Sequence, residues 1–234
     1  MWFKKEPEIE FLCFPEDLDV IPKPYKSKKY MPEWFKALPM KLGPGLNQST
    51  VKRCNPFMDA MSIGWIIPLA ADIELKSNAD STGIDYSWDF YKPMIENHTP
   101  EQITTKKSPN PVGNKPPMKF MNYWAIKVPK GYSVLFVPPL NRQDERFTVM
   151  SGLVDCDGYF EFVNFPFTWN TSNFHGIIPA GTPLVQAIPI KRDSSIYKEV
   201  IRTFDQRDIE ELELTRRKRK STPSLYRDTI WSKK

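Results

Sequence analysis

Histidine occurs only twice, at 98 and 175, cysteine three times, at 13, 54 and 156, and glycine not at all after Gly181. Each scarcity closes a route. A two-histidine, one-carboxylate iron site needs an H-x-D or H-x-E pair and a distant histidine, yet His98 is followed by Thr99 and Pro100, and His175 by Gly176 and Ile177. An odd cysteine count without a C-x-x-C pair argues against a disulfide framework or a zinc site and for a reducing compartment. The chain has no G-x-S-x-G elbow, no G-x-x-x-x-G-K-[ST] loop and no G-x-G-x-x-G turn, so hydrolase and nucleotide chemistry by those routes is excluded. The longest apolar stretch, Ile66 to Ala71, falls far short of the roughly 20 residues that cross a bilayer, and the N-terminal MWFKKEPEIEF is charged where a signal peptide is apolar. A soluble protein made in a cytoplasm is expected, with no membrane partner.

Proline is abundant: 23 of 234 residues, about twice the usual frequency of roughly 5%. Aromatics at 13% and hydrophobics at 40% are nevertheless too rich for a disordered chain. Short strands joined by rigid loops account for both. From Trp124 to Arg192, apolar and aromatic residues alternate with polar ones, and Gly, Pro and Asn punctuate at short intervals, which predicts antiparallel sheet with tight turns. The expected fold is mainly β, an antiparallel sandwich or barrel of the jelly-roll kind, with short helices and a C-terminal helix. The predicted organisation is a Pro-rich arm over 1–48, a β domain over 49–193 and a helical, basic extension over 194–234.

Within the arm, MPEWFKAL predicts a short helix with Pro32 in its first turn; the arm packs either on its own β domain or on a neighbouring subunit. Asn55 as cap, Pro56, Asp59 and Gly64 predict a second helix, followed by GWIIPLAADIEL as a strand entering the core. Ile84 to Tyr91 is a further strand candidate, and 97–118 a long polar loop. Ser194 or Ser195 followed by Ile196, Tyr197, Val200, Ile201 and Phe204 predicts a helix that Ile209, Leu212 and Leu214 prolong. Leu225, Tyr226, Ile230 and Trp231 suggest that the last segment docks rather than trails.

The net charge of +5 lies entirely in the tail, where residues 191–234 hold 13 Lys and Arg against 8 Asp and Glu, leaving 20 against 20 elsewhere. Arg216, Arg217, Lys218, Arg219 and Lys220 form one block. It is either a solvated helix end or a surface for nucleic acid or an acidic partner.

The best candidate for chemistry is Gly152-Leu153-Val154-Asp155-Cys156-Asp157-Gly158-Tyr159. Carboxylates at i and i+2 point the same way at a strand end and could orient a water or hold a cation. Asp-x-Asp-Gly is also what a hairpin tip requires, so a turn and a site stay open as alternatives.

Pro129-Lys130-Gly131-Tyr132, Asn141-Arg142, Gly152 to Tyr159 and Gly181 to Gln186 resemble, in order, the motifs of the trimeric dUTPase and dCTP deaminase group, with Ala70-Ala71-Asp72 standing for the first motif. The resemblance implies a dUTPase-like scaffold, an enzyme acting on a nucleotide or phosphorylated small molecule, Asp155 orienting the attacking water with Asp157 and Arg142 nearby, Gln186 at a uracil-side or trimer contact, and magnesium as a possible ion. The Gly-rich C-terminal segment that closes over phosphates in that group has no counterpart after Gly181. A second resemblance, on Arg53 to Leu69, P-P-L-N-R, G-L-V-D-C-D and N-F-P-F-x-W, is to an uncharacterised family of hypothetical proteins in tailed phages and bacteria, and implies a phage origin without a mechanism.

Three functions therefore compete. The favoured one is a non-enzymatic phage protein without cofactor or metal, acting through protein contacts as a homo-oligomer or virion component. The others are the enzyme just outlined and nucleic-acid binding through the basic tail, with Trp231 and Tyr226 as stacking groups.

Overall fold

A computed structural model describes residues 7–44, 48–102, 115, 117–194, 199–222 and 224–232. The chain divides into two compact units, Met1–Pro32 with Ala60–Asp193 and Glu33–Asp59 with Ser194–Lys234. These differ from the sequence boundaries because the arm is split between them, its first part adding two short strands to the sheets.

The first unit carries strands β1 (Glu10–Leu12), β2 (Tyr25–Lys26), β3 (Trp65–Pro68), β4 (Ile73–Ser77), β5 (Ile84–Ser87), β6 (Ile95–Asn97) and β7 (Met118–Phe120). It continues with β8 (Ala125–Lys127), β9 (Tyr132–Val137), β10 (Phe147–Val149), β11 (Gly152–Val154), β12 (Phe165–Trp169), β13 (His175–Ile178) and β14 (Pro183–Lys191). All pairings are antiparallel. The sheets run β11-β9-β14-β3-β2, β10-β12-β7-β6, β13-β4-β5 and β1-β8. The mainly β, antiparallel expectation holds. Among the described residues no sheet closes on itself, so the barrel alternative is set aside for open sheets around a shared core.

The alternation read from sequence is what buries that core. In β4, Ile73 and Leu75 are fully buried while Glu74 and Lys76 face out. In β14, Leu184 to Ala187 are all buried, because the strand lies between β9 and β3 and is covered on both faces. Trp169, Phe120, Phe136, Phe165 and Phe167 are fully buried, and the Phe120 and Phe167 rings stack at 3.6 Å between centroids. Each such side chain contributes about 1.5–3 kcal/mol by leaving water. Gly64 has φ +72°, and a Cβ there would meet the Ala187 carbonyl oxygen at 2.2 Å, so only glycine lets the chain enter β3 beside β14.

GWIIPLAADIEL forms two strands rather than one. Pro68 has no N–H to continue the ladder, Leu69 N donates to Thr182 O, and the Asp72 carboxylate accepts from Ala180 N at 2.6 Å as the chain crosses to another sheet. The Ile84 strand ends at Ser87. Most of the 97–118 loop lies outside the described residues.

The arm is tied in at several points. β1 pairs with β8, β2 with β3, Ile21 enters the core, and Trp124 Nε1 donates to Pro22 O at 3.1 Å. Asp17 is wholly buried, accepts from the Tyr91 hydroxyl, and meets Lys92 Nζ at 2.5 Å. That ammonium also lies 5.2, 5.1 and 5.2 Å from the ring centroids of Phe14, Tyr91 and Tyr123.

The second unit holds helix α1 (Glu33–Ala37), the start of α2 (Asn55–Ser62) and α3 (Gln206–Ser221). Phe35 is buried and stacks on Phe57, with Trp34 edge-on to both. The helix expected from Ser194 starts at Gln206 instead, a correction for the described part of that segment; residues 195–198 lie outside it. Asp205 caps the helix, accepting from Asp208 N while the Asp208 carboxylate accepts from Asp205 N, both at 3.0 Å. A residue in this reciprocal cap has extended backbone, φ −88° and ψ 178°, so no helix runs through it. Val200, Ile201 and Phe204 are consequently exposed in irregular chain. Trp231 does dock, donating from Nε1 to Asp59 at 2.7 Å. Among the described residues no helix is long and apolar enough to cross a membrane.

Candidate functional site

The paired carboxylates lie beside the turn that enters β9. Gly131, with φ +87°, donates its N–H to Asp157 Oδ2 at 2.8 Å. Arg192, just past the end of β14, donates to Asp157 through Nη1 at 3.0 Å and Nη2 at 2.5 Å, and through Nη1 also to Tyr132 O and Asp155 Oδ1. Ser133 Oγ donates to Asp155 Oδ1 at 2.6 Å. The arginine bonds and the Gly131 N–H hold the Asp157 carboxyl down at about 2. Asp157 is therefore an ionised fastener at neutral pH. Both its oxygens are in use, which does not suit a shared magnesium ion.

The Asp155 carbonyl accepts from Gly158 N and Tyr159 N, a tight turn. This is not the tip of a hairpin between neighbouring strands: β11 pairs with β9, whereas β12 pairs with β10 and β7. Cys156 between the aspartates is buried, and burial together with the two carboxylates pushes its thiol to about 11, so it stays a protonated, unreactive thiol.

Arg142 and Gln186 have separate partners. Gln186, fully buried, accepts from Leu140 N with Oε1 and donates from Nε2 to Ala60 O at 2.9 Å and Ile63 O at 2.6 Å. Arg142 Nη1 donates to Ser27 O at 3.1 Å and to Tyr30 O. Burial lowers the guanidinium's proton affinity. The sequence-predicted set thus divides: Asp155 and Asp157 meet around Arg192, and neither Arg142 nor Gln186 has a described hydrogen bond to them.

Sequence reasoning missed Arg192 and Ser133. Ser133 sits on an alternating strand, and Arg192 follows a strand whose nine residues gave no sign of what lay opposite. It also missed an apolar pocket of about 310 Å³ whose walls include Trp65, Tyr132, Pro129, Pro189, Ile63 and Ile9. The pocket adjoins the carboxylate clasp through the chain itself, since Pro129 and Tyr132 flank the Gly131 N–H that Asp157 accepts. Lys26 Nζ lies 5.7 Å from the Trp65 ring centroid.

Arg216, Arg217, Lys218, Arg219 and Lys220 occupy the exposed C-terminal half of α3, with Arg217 3.2 Å from Glu213. His98 Nδ1 meets Gln102, and His175 Nε2 meets Glu74 at 3.1 Å. Among the described residues no three His, Cys, Asp or Glu side chains gather as a metal site.

No family model and no curated protein sequence matches the chain. Among solved structures it is similar to a mutant dUTPase of the S. aureus phage phi11 with a structural Mg(II) ion, at 12% identity and a TM-score of 0.33, over 62% of this chain and 84% of that one. It is similar too to a mutant dUTPase of Staphylococcus bacteriophage 80alpha with dUpNHpp, at 12% identity and a TM-score of 0.34, over 62% and 81%. Superpositions this distant say nothing about chemistry.

Proposed function

We propose that the protein acts through protein contacts, and that its β body docks an extended, proline-containing segment of a partner in the pocket walled by Trp65, Tyr132, Pro129 and Pro189. The single observation that carries this reading is the pocket's composition: flat aromatic and proline faces together with aliphatic Ile9 and Ile63. A polyproline II segment is stiff before it binds and offers ring edges to such faces, so little ordering entropy opposes docking. The carboxylate clasp supports the same reading, because Asp157 accepts from Gly131 N while its partner Arg192 donates to Tyr132 O, so the pair grips the backbone on both sides of Tyr132. The phage and virion setting rests on the sequence resemblance alone, and native mass spectrometry with candidate virion proteins tests it.

Titration of the full chain with proline-rich peptides, followed by NMR, tests the docking. Saturable shifts at Trp65 and Tyr132 are expected, and Trp65→Ala should weaken binding by about 30-fold, the loss of one aromatic hot spot. Peptides that never saturate, or an unchanged Trp65→Ala curve, remove the proposal. The enzyme alternative predicts turnover in a nucleotide panel with magnesium that Asp155→Asn abolishes.

The exposed block on α3 supports a second reading, binding of nucleic acid. Replacing Arg216, Arg217, Lys218, Arg219 and Lys220 with Gln should then flatten the salt dependence of DNA or RNA binding; an unaltered salt slope ends it.

A further inference from the structure

Arg142 is a buried cation that the fold leaves incomplete. Its residue is 7% exposed and sits beneath the stretch of arm from Tyr25 to Tyr30. Nη1 is used twice, on the carbonyls of Ser27 and Tyr30, and the Tyr30 ring centroid lies 5.2 Å from the guanidinium carbon. Nε and Nη2 are shut off from solvent and have no hydrogen-bond partner among the described residues, and the same is true of Ser27 Oγ. Among the described residues, the ionisable groups beside the guanidinium are the phenols of Tyr25 and Tyr30, uncharged near neutral pH.

Which nitrogens are idle matters. Nε–H and one N–H of Nη2 project in parallel from one edge of the planar group, and this edge accepts two oxygens of a carboxylate or phosphate side by side. A single water accepting from both would still leave the charge unbalanced. Folding normally avoids an unpaired buried charge, because desolvating it is very costly without a counter-ion. The geometry points to a small-oxyanion site, for a ligand the size of phosphate or acetate, anchored on the Nε–Nη2 edge of Arg142 with Ser27 Oγ as a further donor and the Ser27–Tyr30 turn closed over it. Entry requires that turn to lift. What holds it among the described residues is the two-residue β2–β3 pairing, the Ser27 N to Gly64 O bond at 3.0 Å, the Lys26 ammonium near the Trp65 ring, and Arg142 itself. The bound anion therefore fastens the arm to the β body, independently of what docks in the apolar pocket.

The test uses the full chain and three probes, inorganic phosphate, acetate and a nucleoside triphosphate, against sodium chloride at matched ionic strength. With phosphate or acetate, the Arg142 Nε–H resonance should shift saturably and Tm should rise with the logarithm of concentration. Arg142→Lys keeps the charge but loses the fork, and should weaken the apparent affinity at least tenfold. Should that variant fail to fold, Ser27→Ala, which removes one donor and little volume, should weaken it severalfold. No Nε–H shift with either small anion, or the same Tm response in Arg142→Lys as in the wild type, overturns the site. A response to the triphosphate alone overturns it also, in favour of a nucleotide ligand.

Discussion

Lys92 and Arg142 are both cations taken largely out of water where the N-terminal arm meets the β body, yet they are treated in opposite ways. Lys92 has a wholly buried carboxylate at 2.5 Å and three aromatic rings around its ammonium. Arg142 has two backbone carbonyls, one ring and an idle edge. The difference teaches that burial alone does not define a structural charge; completion of its partners does. Asp17 and Lys92 close a clamp that needs nothing further, whereas Arg142 is stable in place only to the extent that something else supplies its counter-charge.

Breaking the completed clamp should have the largest effect. Asp17→Ala strands Lys92 among three rings without an anion, and urea denaturation should report a loss of about 3–5 kcal/mol. Arg142→Met is the sharper comparison. In anion-free buffer it removes a cation that nothing neutralises and leaves only two carbonyls without a donor, so about 1–2 kcal/mol is expected. A larger loss in phosphate than in anion-free buffer would show the counter-charge directly, and equal losses in the two would erase the contrast.

Arg192 extends the series to a cation whose side chain is 40% exposed. Its partner Asp157 titrates near 2 when folded and near 3.9 in the unfolded chain. The unfolded state binds protons first, so this stability is present above about pH 4 and is lost as pH falls through about 2. Asp157→Asn should flatten stability across that window, which acid titration monitored by circular dichroism can check. Smallest of all is Arg217, 78% exposed beside Glu213 on α3: Glu213→Gln should cost about 0.3–0.5 kcal/mol in helix stability and vanish in high salt.

The β class was legible because alternation is a local signal, and β4 shows it plainly in Ile73, Glu74, Leu75 and Lys76. The turn at Asp155 was legible as a turn for the same reason, as was the docking of Trp231 from its unusual place in a polar tail. The partition into units was not, since β1 meets β8 across more than a hundred residues. Nor was the start of α3: apolar spacing after Ser194 suggested a helix, and a reciprocal cap at Asp205 and Asp208 set its first turn elsewhere. The site divided along the same line. Asp155 and Asp157 were visible as a pair two residues apart, but Arg192, which pairs with both, and Trp65, which walls the adjoining pocket, come from distant parts of the chain.

By itself, then, the order of residues determined which segments extend, which turn, and which side of each strand avoids water, because those preferences are settled within a few bonds. Only the tertiary structure decided which charges meet a partner and which do not. Electrostatic completion depends on distances between atoms far apart along the chain, and Lys92 and Arg142, alike in charge and both drawn out of water, part company there.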